Sequence, residues 1–109
     1  MSDTNDRTTS ATNDPFAGFA FPLIELGRVV VTRAVLEHLE REAANIYPYL
    51  HRHEHGDWGD VTPNDAEANL LGAIHGGRTF SAYEVAGKQV WIITEGDQSS
   101  TCVLFPSEY

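Results

Sequence analysis

Residues 51 to 60, HRHEHGDWGD, set three histidines at alternate positions and run them into two aspartates around a tryptophan. Imidazole is the side chain suited to proton transfer near neutral pH and the commonest metal ligand. On a helix, His51 and His55 stand one turn apart on one face, the spacing of zinc-binding helices, while His53 points away; in an extended segment all three face one side. Asp57 or Asp60 would add an oxygen donor. The Glu and the third ligand that complete a zincin are missing, so neither a metal nor another cofactor is expected. The structural reading comes first: His51 and His55 near a helix C-terminus, where positive charge suits the dipole, and His53 as a buried hydrogen-bonding group.

The glycines around Trp58 carry a separate signal. Gly56 and Gly59 allow backbone conformations closed to other residues, so the chain can turn twice around the indole. Trp58 is expected to plug the core with its nitrogen hydrogen-bonded, and Asp57 and Asp60 to accept bonds from turn amides.

The remaining residues form elements that would position these groups. Residues 1 to 22 are rich in Ser, Thr, Asn, Asp and Gly with little aliphatic content, and are expected to be a disordered tail. Residues 23 to 109 are expected to form one α+β domain. RVVVT reads as a strand, and Thr32 then caps a helix whose inward face is Val35, Leu36, Leu39 and Ala43, with Asn45 at its left-handed stop and His38 on the surface. Pro48 and Gly56 bracket a second, short helix. In the third, Thr62 is the cap, Pro63 the first residue and Asp65 the capping-box carboxylate; Ala66, Leu70, Ala73 and Ile74 face inward, and Gly76 and Gly77 end it. RTFSAYEV, QVWIIT and TCVLF are three strands joined by short turns, an antiparallel meander that the helices cover on one face. Val90 to Ile93 reads as its central strand.

The chain has 109 residues with 41% hydrophobic and 21% charged side chains, the profile of a single soluble domain. Its one cysteine, Cys102, sits in an apolar run and makes no internal bridge, which points to a reducing cytoplasm. No apolar run approaches the roughly 20 residues that cross a bilayer. Sixteen acidic side chains against seven lysines and arginines give a formal charge of −9. Asp3, Asp6 and Asp14 against Arg7 make the first 20 residues −2, which leaves −7 on the rest. Such a charge repels phosphate backbones and argues against direct nucleic-acid binding.

RHEHGDWGD, GGRTFSAYEV and VWIITEGDQSSTCVLFPSEY, in this order, resemble a family of small bacterial proteins carried on plasmids, integrative elements and prophages. The resemblance spans residues 26 to 109. Its most specific parts are the GDWGD loop, Arg78, Ser81 and Tyr83, and the closing Thr94, Glu95, Pro106, Glu108 and Tyr109. Where such relatives have an alanine and then an arginine after the Thr-Glu pair, this chain has Gly96 and Gln98. The resemblance implies a mobile-element accessory protein, a class of gene that travels with restriction, antirestriction and anti-CRISPR functions.

Two functions of different class follow. The first is a non-enzymatic module that binds a host protein with a basic surface and so inhibits a nucleic-acid-handling defence system. Its contact residues would be Glu37, Glu40, Glu42, Asp57, Asp60 and Glu67. The second is a small ribonuclease, similar in order of elements to barnase and RelE toxins. There His53 would be the general acid or base, Arg78 would hold the phosphate, and Glu95 or Thr101 would assist. The shortage of basic residues counts against it, since RNA requires a positive groove. A homodimer, formed by edge-strand pairing or by an apolar sheet face around Trp91 or Tyr109, is a third arrangement.

Overall fold

The three C-terminal runs pair as their spacing predicts. In the computed structural model, which describes residues 18–109, β2 (Thr79–Val85), β3 (Lys88–Thr94) and β4 (Ser100–Leu104) form the antiparallel meander. The first strand, β1 (Arg28–Val31), joins it on the far side of β4 and runs parallel to it, giving the order β1-β4-β3-β2. The protein is an α+β domain. A short 3-10 turn, Pro106–Glu108, ends the chain.

Three helices fill the connection between β1 and β2. In α1 (Arg33–Glu42), Thr32 accepts a hydrogen bond from the Val35 amide at 3.3 Å, as a cap should. Thr32 also donates to Glu108 Oε1 at 2.9 Å, and the same oxygen accepts the Phe105 amide, so one carboxylate ties the chain's end to the β1–α1 junction. Helix α2 (Tyr47–Glu54) has Pro48 in its first turn and stops at Gly56, which takes φ +80°. Helix α3 (Pro63–His75) is capped by Thr62 and ended by Gly76.

The core lies between one face of the sheet and the helices: Val35, Leu39 and Leu50 against Tyr83, Val85, Val90, Ile92 and Val103. The inward stripe of α1 is turned from the expected one. Leu36 is 47% exposed and Ala43 faces solvent, whereas His38 is 2% exposed and not on the surface. Its Nε2 lies 2.9 Å from the Val85 carbonyl, which only accepts, so Nε2 carries the proton; its ring meets Phe105 edge-on. The buried polar group thus gives the Val85 carbonyl, at the end of β2, a further donor. The left-handed stop falls at Ala43 (φ 52°) and not at Asn45, whose side chain instead accepts from the Tyr47 amide and helps start α2. In α3, Ile74 is exposed and Asn69 is the buried residue.

The segment ahead of β1 is also held by hydrogen bonds. The Phe19 and Leu23 amides donate to the carbonyls of His55 and Glu54, both at 2.7 Å, so residues 18 to 22 are fastened to the end of α2. The rest of the expected tail, residues 1 to 17, lies outside the described residues.

The two edges of the sheet differ. At the β2 edge, Asn69 donates to the Phe80 carbonyl at 2.6 Å and accepts the Phe80 amide at 3.0 Å. Two residues on, the Ala82 amide donates to Trp58 O and the Ala82 carbonyl accepts from Asp60 N at 2.6 Å, with Gly59 bridged to Ala82 in parallel. Each outward-facing backbone group at Phe80 and Ala82 is therefore satisfied. No such cover lies over β1 among the described residues.

Candidate functional site

His53, from the middle of α2, is fully buried. Its Nδ1 lies 2.6 Å from Ser81 Oγ on β2 and its Nε2 lies 2.8 Å from Thr94 Oγ1 on β3. Thr94 Oγ1 is 2.7 Å from Thr101 Oγ1 on β4, which donates at 2.7 Å to the Leu26 carbonyl, just before β1. That carbonyl fixes every proton in the line. Because it can only accept, Thr101 spends its hydrogen there and accepts from Thr94; Thr94 then accepts from His53 Nε2–H, and Ser81 donates to Nδ1. The line joins α2 to three strands and to the approach to β1, with each hydroxyl in it used as a donor.

Burial lowers the His53 pKa from 6.5 to about 3, so the imidazole is neutral at physiological pH. A neutral, sealed ring whose two nitrogens are both engaged holds the fold together; it has no contact with a dissolved substrate. Thr101 is equally buried. Arg78 and Glu95 belong to the same end of the sheet, but lie on its surface as an ion pair at 3.4 Å. Glu95 also raises the Arg78 pKa, and Arg78 donates to the Tyr109 hydroxyl at 2.9 Å. The four residues of the expected ribonuclease set are thus divided, two in the interior and two outside.

The GDWGD loop is built around Trp58, which is 2% exposed and meets His53 edge-on at 5.5 Å. No hydrogen bond of its indole N–H is found among the described residues. Asp57 does not serve turn amides: its carboxylate pairs with Arg52 at 2.8 Å, and its carbonyl accepts the Tyr83 hydroxyl at 2.5 Å. The Arg52 guanidinium lies over the Tyr83 ring at 4.7 Å, and the hydrogen bond it donates to Asp57 raises its pKa. Asp60 contributes its amide to the β2 edge and leaves its carboxylate exposed. At Gly59, with φ +75°, a β-carbon would be driven into the Ala82 carbonyl and the Tyr83 ring, so glycine is what lets the loop lie against the strand.

His51 and His55 stack at 4.0 Å, and His55 Nδ1 donates to the His51 carbonyl at 2.7 Å. Among the described residues, no three His, Cys, Asp or Glu side chains converge as a metal site would need. The acids singled out for contact fall in three places. Glu37, Glu40 and Glu42 are exposed on α1, Asp57 and Asp60 flank Trp58, and Glu67 on α3 borders a hollow over Trp58, Phe19 and Leu70.

The sheet face away from the helices carries a second feature. Trp91 meets Phe80 at 5.1 Å and Tyr109 at 5.6 Å, both edge-on, and Arg78 borders the cluster. Cys102 is half-buried on this face opposite Ile93, where burial raises its thiol pKa. Residue-by-residue alternation could have found the line through His53: Ser81, Thr94 and Thr101, together with Thr79, are the polar residues at inward positions of the strands.

No protein-family model, no curated protein and no solved structure matches the chain. No helix among the described residues is long and apolar enough to cross a membrane.

Proposed function

We propose that the protein is a non-enzymatic binding module that covers a basic surface of a host protein and thereby inhibits a nucleic-acid-handling defence system, in the manner of an anti-CRISPR or antirestriction protein. The reading includes action in the cytoplasm and carriage on a mobile element, as the resemblance described above implies.

The observation that carries it is the state of the acids. Among the described residues, the ion pairs are Arg52–Asp57 and Arg78–Glu95, so Glu37, Glu40, Glu42, Asp60 and Glu67 stand without a cationic partner. Unpaired carboxylates at −9 overall raise the rate of encounter with a positive surface and discourage binding to nucleic acid itself. The imidazole best placed by sequence for catalysis is spent on the interior, which favours binding over chemistry.

The test is transformation by a targeted plasmid of hosts with an active CRISPR or restriction system, with and without the protein. Expression is expected to restore transformation, and the double substitution Glu37→Lys and Glu40→Lys to reduce that effect. Complex formation with the responsible host component should weaken about tenfold as salt rises from roughly 0.1 to 0.5 M. Unchanged transformation in both kinds of host, or binding indifferent to salt, overturns the reading.

A further inference from the structure

Strand β1 is a bare edge. The Arg28 and Thr32 amides donate to the carbonyls of Ser99 and Val103, both at 3.0 Å, so alternate residues of β1 turn their backbone groups toward β4. By the same alternation, the N–H and C=O of Val29 and Val31 point the other way. Among the described residues they have no backbone partner there, and Val29 and Val30 are 40% and 43% exposed. Of the usual guards of such an edge, RVVV has one charged side chain, Arg28 at its start, and neither proline nor lysine.

Beside this edge runs a groove of about 650 Å³. The β1 side offers Leu26, Val29 and Val31; the other wall is one face of α2, with Ile46, Tyr47 and Leu50. Tyr47 is 74% exposed, an unusual state for a large aromatic beside an apolar wall. Glu54 closes the groove and is shared with the next hollow, where Glu25 also lies. Neither carboxylate has an ion-pair partner among the described residues, and His51 is the one groove-lining side chain able to carry positive charge.

We propose that β1 and the α2 face accept an extended segment of a partner protein, which adds to the sheet as a fifth strand. Alternate apolar side chains of that segment lie on Val29, Val31, Tyr47 and Leu50, and a lysine or arginine at its end meets Glu54 and Glu25. Backbone bonds to Val29 and Val31 supply the attachment, and the groove supplies the selection of side chains. The charge favours such a basic segment over a second copy of this chain, which would bring another −9 to the same place. This proposal rests on the binding reading above and names the part of the partner that is held.

The test uses the intact protein and a capped synthetic heptapeptide alternating valine and threonine, with lysine at both ends. At saturation, hydrogen exchange at the Val29 and Val31 amides is expected to slow by about tenfold, with the Val30 amide little changed. Replacing the end lysines by glutamate should weaken binding about fivefold. N-methylation of the peptide amides on one strand edge should abolish binding, while methylation on the other edge leaves it intact. Unchanged exchange at Val29 and Val31, or indifference to the edge methylated, overturns the proposal. So does protection of both amides in the free protein with a doubled mass in light scattering, which would seat a second copy on the edge. Failure with the peptide while plasmid protection persists removes this inference alone; loss of plasmid protection removes the functional reading.

Discussion

His53 Nε2 donates to Thr94 Oγ1 across 2.8 Å, and the direction of that bond is set two hydroxyls further on, by the Leu26 carbonyl. A single tautomer is compatible with the whole line, so removing the ring breaks more than one contact.

Replacing His53 by leucine keeps most of the volume but leaves Ser81 and Thr94 buried without their partner. The expected loss is about 2–4 kcal/mol of unfolding free energy, read from urea denaturation at neutral pH. Adding Ser81→Ala to the same chain should recover part of it, because the hydroxyl left without its acceptor is then gone, while Thr94 keeps its bond to Thr101.

The depressed pKa of His53 makes stability depend on pH. The unfolded ring binds a proton near 6.5 and the folded one near 3, so between these values the unfolded state holds more protons. Stabilisation from the neutral ring is complete above pH 6.5 and is lost progressively as pH falls toward 3, at no more than about 1.4 kcal/mol per unit. Urea midpoints taken between pH 6.5 and 5, before most carboxylates protonate, should fall for the wild type. In the His53→Leu chain the fall should be smaller by this contribution.

Gly59→Ala is expected to cost about 2–4 kcal/mol, since the added carbon meets the Ala82 carbonyl in a backbone conformation that alanine resists. The loop must then lift from β2. Faster hydrogen exchange at the Ala82 amide, whose acceptor is Trp58 O, would register the lifting directly.

Asn69→Leu removes both bonds to Phe80 and exposes that strand's free backbone groups. A loss of about 1–3 kcal/mol is expected, together with association that grows with protein concentration. Light scattering at two concentrations, set against the wild type, checks the second effect.

Much of this architecture was legible in the residues. The strands from Thr79 onward, the caps at Thr32 and Thr62 and the stop at Gly56 all follow from local chemistry that acts within a turn or two. The parallel seat of β1 beside β4 was not legible, because Arg28 and Ser100 meet across most of the chain and no local pattern specifies that pairing. His38 was misjudged because its polarity argued for the surface, and Asn69 was not singled out at all; each side chain serves a backbone group of β2 that only tertiary packing brings within reach. His53 was legible as a buried hydrogen-bonding group, but its partners come from three strands and its proton is placed by a carbonyl 27 residues earlier in the sequence.

The unequal edges of the sheet have a consequence for assembly. Fibrils elongate by recruiting chains at both flanks of a growing ribbon, and here Asn69 and the Gly59 loop shut one flank. A chain so built tolerates a bare, valine-rich strand because whatever joins that strand finds, among the described residues, only the short stretch of β2 at Glu84 uncovered on the opposite flank.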